Sequence, residues 1–242
     1  MRELNVFKYL SILVLCFAFL SCNENKESSY IPLDSSKEFE FNEITTTYNT
    51  NTKDLIRGAV PIMIEDVEKK IGWTVYQSTD NQLAFSLPDD WKIKARKKCV
   101  LYCNLVDFRD DYFALVTNSK ISNNLSLDDY LLELFNVVSK DTTELLVDYE
   151  VKKITMEDRL MYVFSFETRK NNIDYTTFSC FTEDDLNIFD FTLKRKKENI
   201  SNLDKLKFDV VLENFKINKT KLFSYSKDGF KIEKIEFGVN KN

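Results

Sequence analysis

Leu160-Met-Tyr-Val-Phe-Ser-Phe-Glu-Thr-Arg-Lys170-Asn-Asn-Ile-Asp-Tyr-Thr-Thr-Phe-Ser-Cys-Phe-Thr182 opens with a period of two. Leu160, Tyr162, Phe164 and Phe166 are bulky at every second position, and Ser165, Glu167 and Arg169 face the other way. Successive side chains of a strand point to opposite faces, so this pattern predicts a strand with one face turned to a core. Asn172–Thr182 predicts the next strand, Val147–Met156 the one before, and Phe189, Phe191 and Leu193 mark another after it. Asn and Asp sit at the breaks, at Glu157-Asp158, Asn171-Asn172 and Asp184-Asp185. They tolerate the positive φ of hairpin turns, which matters in a stretch with no Gly from Trp73 to Asp228. Four consecutive strands with short connections predict an antiparallel meander.

Upstream, Leu83, Phe85 and Leu87 alternate with smaller or polar neighbours, and Pro88-Asp89-Asp90 turns the chain before Trp91-Lys-Ile-Lys. Cys99–Asp107 and Tyr112–Asn118 are β-prone runs. Ser126-Leu-Asp-Asp suits a helix N-terminus, and Leu127, Leu131, Leu134, Phe135 and Val138 then form one apolar helix face through about Lys140. Downstream, Ser201 caps a helix whose Leu203, Leu206, Val210 and Val211 face inward through about Phe215. These elements predict an α+β sandwich, one antiparallel sheet meander packed against helices. Residues 52–72 read as a helical lead-in, with a helix from about Pro61 to Lys70, followed by a strand at Trp73–Gln77. The main domain is expected over 73–218. A C-terminal tail over 219–242, with a hairpin turning at Asp228-Gly229, is expected outside it.

The N-terminus gives an address. Arg2 and Lys8 precede the apolar run from Tyr9 to Leu20, which ends at Ser21-Cys22 and reads as an export signal over residues 1–21. That run is shorter than the ~20 apolar residues a spanning helix needs. Phe19-Leu20-Ser21-Cys22 resembles the lipobox of bacterial lipoproteins, with Phe where Leu is usual, a variation that Bacteroidetes-type lipoproteins tolerate. The resemblance implies acylation of Cys22 and a lipid bilayer as partner. It also implies a place in the cell envelope, at the outer membrane because Asn23 rather than Asp follows the Cys. The alternative is a plain secreted protein with Cys22 an ordinary thiol. Residues 22–51 are polar and read as a flexible tether.

Composition excludes more than it assigns. The chain has 242 residues, 20 Phe and 11 Tyr, enough for a packed core, and a net charge of −5. Arg2 and Lys8 against Glu3 give the signal a net +1, so its removal leaves −6. A mildly acidic chain has no electrostatic reason to seek nucleic acid. The basic run Lys194-Arg195-Lys196-Lys197 reads as a solvated strand end before it reads as a phosphate site. No His occurs, which removes the usual general base, the Ser-His and Cys-His nucleophile pairs and the commonest metal ligand. The four Gly (Gly58, Gly72, Gly229, Gly238) are too scattered for a phosphate-binding loop.

Leu83-Ala-Phe-Ser-Leu-Pro-Asp-Asp-Trp91, together with Val211-Leu-Glu-Asn-Phe-Lys216 near the end of the last helix, resembles the PsbP-like superfamily over residues 73–218. The resemblance implies an α/β sandwich and an assembly or binding role without catalysis, and no cofactor or metal is expected. It carries over no functional residue, since Pro88 and Trp91 look architectural.

Three cysteines follow Cys22. Cys99 and Cys103 would stand roughly 13 Å apart on one extended strand, beyond disulfide reach, while either can meet Cys180 from a neighbouring strand. Buried thiols are the other reading, and the pairing stays open. The doublets Asp89-Asp90, Asp110-Asp111, Asp128-Asp129 and Asp184-Asp185 suit turns and caps; cation binding or a hydrolase carboxylate pair is the sharper alternative. Trp91 and the tyrosines suit a core, or else a binding surface. The function expected is a membrane-anchored binding or assembly module with an envelope protein partner. The alternatives are a carboxylate- or thiol-dependent enzyme and a small-ligand or cation carrier.

Overall fold

The computed structural model describes residues 33, 39–51, 70–105, 111–120, 125–155, 159–223 and 231–236, all within the unit Pro32–Asn242. The first strands are β1 (Phe41–Asn51), β2 (Lys70–Ser78), β3 (Leu83–Pro88), β4 (Lys92–Ile93), β5 (Leu101–Asn104) and β6 (Tyr112–Ser119). Helix α1 (Leu127–Lys140) leads into the meander β7 (Leu145–Thr155), β8 (Leu160–Lys170), β9 (Ile173–Glu183) and β10 (Asn187–Lys196). Helix α2 (Asn202–Asn214) precedes β11 (Lys216–Ile217), β12 (Thr220–Lys221) and β13 (Lys231–Ile235). All pairings are antiparallel, in a five-stranded sheet ordered β1-β2-β3-β11-β12 and an eight-stranded sheet ordered β13-β7-β8-β9-β10-β6-β5-β4.

This architecture overturns the expected α+β sandwich. The described residues are mostly antiparallel β-structure in two sheets, with two helices. The reason lies in what covers the eight-stranded sheet. On its inner face, Phe113, Leu115, Phe189, Phe191 and Leu193 pack in one core with Trp73, Leu83, Phe85 and Leu87 of the small sheet. Phe208, Val211 and Phe215, from α2 and its C-cap, complete that core. A sheet, not a helix layer, supplies much of the apolar cover. On the outer face, Tyr162, Phe164, Phe166, Phe181 and Ile188 pack with Leu127, Leu131 and Phe135 of α1.

Three boundaries differ from expectation. The tether assigned to 22–51 contains β1, which pairs with β2, and Leu33 is buried in the inner core. The tail is not outside the domain: Leu222 and Phe223 are buried, and β13 pairs with β7 from Val151 to Thr155. Asp228-Gly229 and residues 61–69 of the expected lead-in helix lie outside the described residues, and Lys70 already belongs to β2.

The predicted meander, both helices and their caps form as read. Ser126 Oγ accepts from the Asp129 amide at 3.1 Å, and the Asp204 carboxylate accepts from the Ser201 amide at 2.8 Å and its hydroxyl at 2.7 Å. Asn171 and Asn172 adopt φ of 51° and 61°, making the β8–β9 turn without Gly. Pro88-Asp89-Asp90-Trp91 is the corner at which the chain leaves the small sheet (β3) and enters the large one (β4). The Trp91 amide donates to the Pro88 carbonyl at 2.9 Å, and the buried indole packs on Phe113 with centroids 5.1 Å apart. Among the described residues no helix is long and apolar enough to cross a membrane.

Candidate functional site: the outer face of the large sheet

Because Phe189, Phe191 and Leu193 fill the inner core, strand alternation sends Asp190, Thr192 and Lys194 to the outer face, the side of α1. Register places three cross-strand rows there. One runs Val116–Asp190–Phe181–Tyr162, the next Tyr102–Ala114–Thr192–Ser179–Phe164, and the third Tyr112–Lys194–Thr177–Phe166. Tyr175 and Thr168 follow in the same alternation.

Asp190 is the centre of the first row. Tyr130 of α1 donates its phenol to Asp190 Oδ2 at 3.1 Å, and Thr192 Oγ1 donates to Oδ1 at 2.9 Å. Ser179 Oγ extends the chain to Thr192 at 2.9 Å. Burial raises the Asp190 pKa to about 6, against the opposing pull of the Thr192 and Tyr130 bonds. Burial and the neighbouring carboxylate push the Tyr130 phenol upward in turn. A second phenol–carboxylate bond, Tyr162 to Asp128 at 2.5 Å, ties β8 to the first turn of α1. Both bonds hold the helix on the sheet.

Lys194 lies between Glu144 Oε1, at 2.5 Å, and the Tyr175 ring, whose centroid is 4.9 Å from Nζ. Glu144 also accepts from Thr168. Burial opposes ionisation of Glu144, but the bonds from Lys194 and Thr168 outweigh it and hold its carboxyl below the usual range. At the far edge Tyr102 stacks on Tyr112 with centroids 5.5 Å apart, and the Arg96 guanidinium sits 4.4 Å from the Tyr102 centroid. Burial raises the Tyr112 phenol to about 12.

The residues singled out in the sequence distribute otherwise. Cys22 lies outside the described residues. Cys99, Cys103 and Cys180 are free thiols. Cys103 and Cys180 are both buried in the inner core, but β6 and β10 lie between their strands, a separation of roughly 14 Å at ~4.8 Å per strand. Burial raises both thiols well above the ordinary range; partial burial also raises Cys99, with Arg96 opposing it.

The acidic doublets are spread over the molecule. Asp89 accepts from Thr74 at 2.8 Å, Asp90 pairs with Lys207 at 2.5 Å, and Asp129 accepts from Ser126 at 2.6 Å. Asp184 accepts from the amides of Leu186 and Asn187 at 2.8 and 2.7 Å. Asp111 is fully buried, accepts from the Lys196 amide at 2.9 Å and faces Arg195 Nε at 3.5 Å, while Arg195 also binds Asp204.

Asp190, Tyr130 and Arg96 went unnoticed in the sequence. The signal was present for the first, an Asp set between phenylalanines in Phe189-Asp190-Phe191. Most polar groups of this face bond to one another, so the arrangement clamps α1 and leaves the Arg96–Tyr102–Tyr112 stack as its edge.

No protein-family model matches the sequence, and no curated protein matches it.

Proposed function

We propose that this is a lipid-anchored protein of a bacterial cell envelope, held to the outer membrane by acyl chains on Cys22 and acting as a non-catalytic binding or assembly module. The charged start, the apolar run and Ser21-Cys22 support the anchor. More than one acyl chain gives stable attachment where a single chain is marginal.

The observation that carries the binding role is how the candidate catalytic groups are engaged. Cys103 and Cys180 are buried in an apolar core with raised thiol pKa, the reverse of what a nucleophile needs. Asp89 and Asp90 bond to Thr74 and Lys207 at the corner between the sheets. Asp190, the carboxyl nearest to a general base in character, accepts a hydroxyl on each oxygen.

Chemical crosslinking in the native envelope, followed by mass spectrometry, tests the role. A specific protein partner recovered at stoichiometric yield is expected. Crosslinks spread over abundant neighbours without preference would remove it.

A further inference from the structure

The chain carries two basic runs, and the structure treats them differently. In the first, Lys194 is bound to Glu144, Arg195 to Asp111 and Asp204, and Lys197 to Glu167. The second, Lys92-Ile-Lys-Ala-Arg-Lys-Lys98, comprises β4 and the start of the loop that leads to β5. It exposes Lys92, Lys94, Arg96, Lys97 and Lys98. Among the described residues none of these five makes an ion pair; Lys92 Nζ donates to a backbone carbonyl, that of Asp89, at 2.7 Å. On a protein of net charge −5, five exposed cations without a carboxylate partner among the described residues thus cluster within seven positions.

The loop is shaped as well as charged. The Lys94 amide donates to the Tyr102 carbonyl at 2.9 Å and the Cys99 amide to the Arg96 carbonyl at 3.3 Å, which closes the turn. Lys98 sits at φ 63°, in the left-handed region that Gly or Asn occupies at least cost. The Arg96 guanidinium carbon sits 4.4 Å from the Tyr102 ring centroid and 5.6 Å from that of Tyr112, which holds an exposed, fork-shaped phosphate donor beside the stack.

We infer that the Lys92–Lys98 loop docks on the anionic surface of a lipid bilayer, its cations meeting headgroup phosphates. A flat charged surface touched by one loop tip suits this distribution. A long nucleic acid would have to run on over the acidic remainder of the molecule. A protein interface would need an aromatic or aliphatic anchor at its centre, and Ala95 is the one exposed apolar side chain of the loop. The inference deepens the membrane reading above, since a chain already anchored by lipid meets the surface at high effective concentration.

The test is partition of the full chain between vesicles of phosphatidylcholine alone and vesicles of phosphatidylcholine with phosphatidylglycerol. The readout is the ratio of the two, so binding through the N-terminal apolar run cancels. Each cation near an anionic leaflet contributes about fivefold. Lys94→Gln, Lys97→Gln and Lys98→Gln together are expected to cut the ratio about a hundredfold, and added salt to cut that of the unaltered chain. Lys140→Gln, Lys219→Gln and Lys221→Gln, exposed elsewhere, leave it within a few-fold. Lys98→Gly alone removes one charge while easing the turn, and lowers the ratio about fivefold with the melting temperature unchanged or raised. No preference for phosphatidylglycerol, an equal preference in the triple loop variant, or tighter binding to duplex DNA than to the anionic vesicles at the same salt overturns the inference. Failure of the lipoprotein reading would show separately, as a Cys22 without acyl chains, and would leave this ratio intact.

Discussion

Asp190→Asn should make this protein more stable at neutral pH and flatten its pH dependence. The carboxyl is raised from an ordinary 3.8 to about 6 by burial. The folded state therefore holds a proton, between about pH 4 and 6, that the unfolded chain has released, and the stabilisation fades as pH rises through about 6. The rise from 3.8 to about 6 corresponds to about 3 kcal/mol, reduced to about 2 kcal/mol because Asp190 keeps some solvent contact. Asn preserves the shape and an acceptor for the Tyr130 phenol, so the variant keeps the clamp on α1 without the buried charge. Asp209 on α2, also raised to about 6 by burial, supplies a second slope of the same sign in the same window. Urea unfolding from pH 4.5 to 8 should show stability falling as pH rises in the unaltered protein, and falling about half as much in Asp190→Asn. The variant's gain at pH 7.5 should appear as roughly 4–8 °C in melting temperature. Parallel pH profiles for the two proteins would show that the Asp190 carboxyl does not set the slope.

Other consequences are as direct. Arg195→Met leaves Asp111 and Asp204 buried without their cation and should cost about 3–5 kcal/mol in chemical denaturation. Phe223→Ala, in the segment that looked like a free tail, should cost about 3–5 kcal/mol because the ring is buried against Phe191, with centroids 5.7 Å apart. A thiol reagent should modify the half-buried Cys99 first in the native protein, and Cys103 and Cys180 only on unfolding; native labelling of all three at one rate would contradict their burial.

The parts of the fold legible in the sequence are those set by local pattern. Leu160 to Thr182 alternates strongly enough to fix strands and turn together, and the Ser caps with i, i+3 and i+4 apolar spacing fix both helices. Strands β2 and β3 were legible at Trp73–Gln77 and Leu83–Leu87, but their membership of a second sheet was not, because β1 reads Phe-Asn-Glu-Ile-Thr-Thr-Thr-Tyr, with few apolar side chains to mark a face. It is a strand by virtue of its partner β2, across 18 intervening residues, and pairing at that distance leaves no local mark. That sheet is what turned an expected helix-packed layer into a two-sheet core. The polar face was obscured for a related reason. Asp190, Thr192 and Lys194 look like a solvent face by period, and only the position of α1 and Glu144 makes them a network. Of the two basic runs only the uninterrupted Lys194–Lys197 stands out in the sequence, since Ile93 and Ala95 break up Lys92–Lys98. Which of them is neutralised depends on Asp111, Asp204, Glu144 and Glu167, brought in from other elements.

The anchor is the claim on which the biological reading turns, and intact mass of the mature polypeptide from its native envelope measures it directly. A chain starting at Cys22 and carrying two or more acyl chains is expected, with Cys22→Ala abolishing them. A lipid-free mature chain, or one starting at another residue, would contradict it.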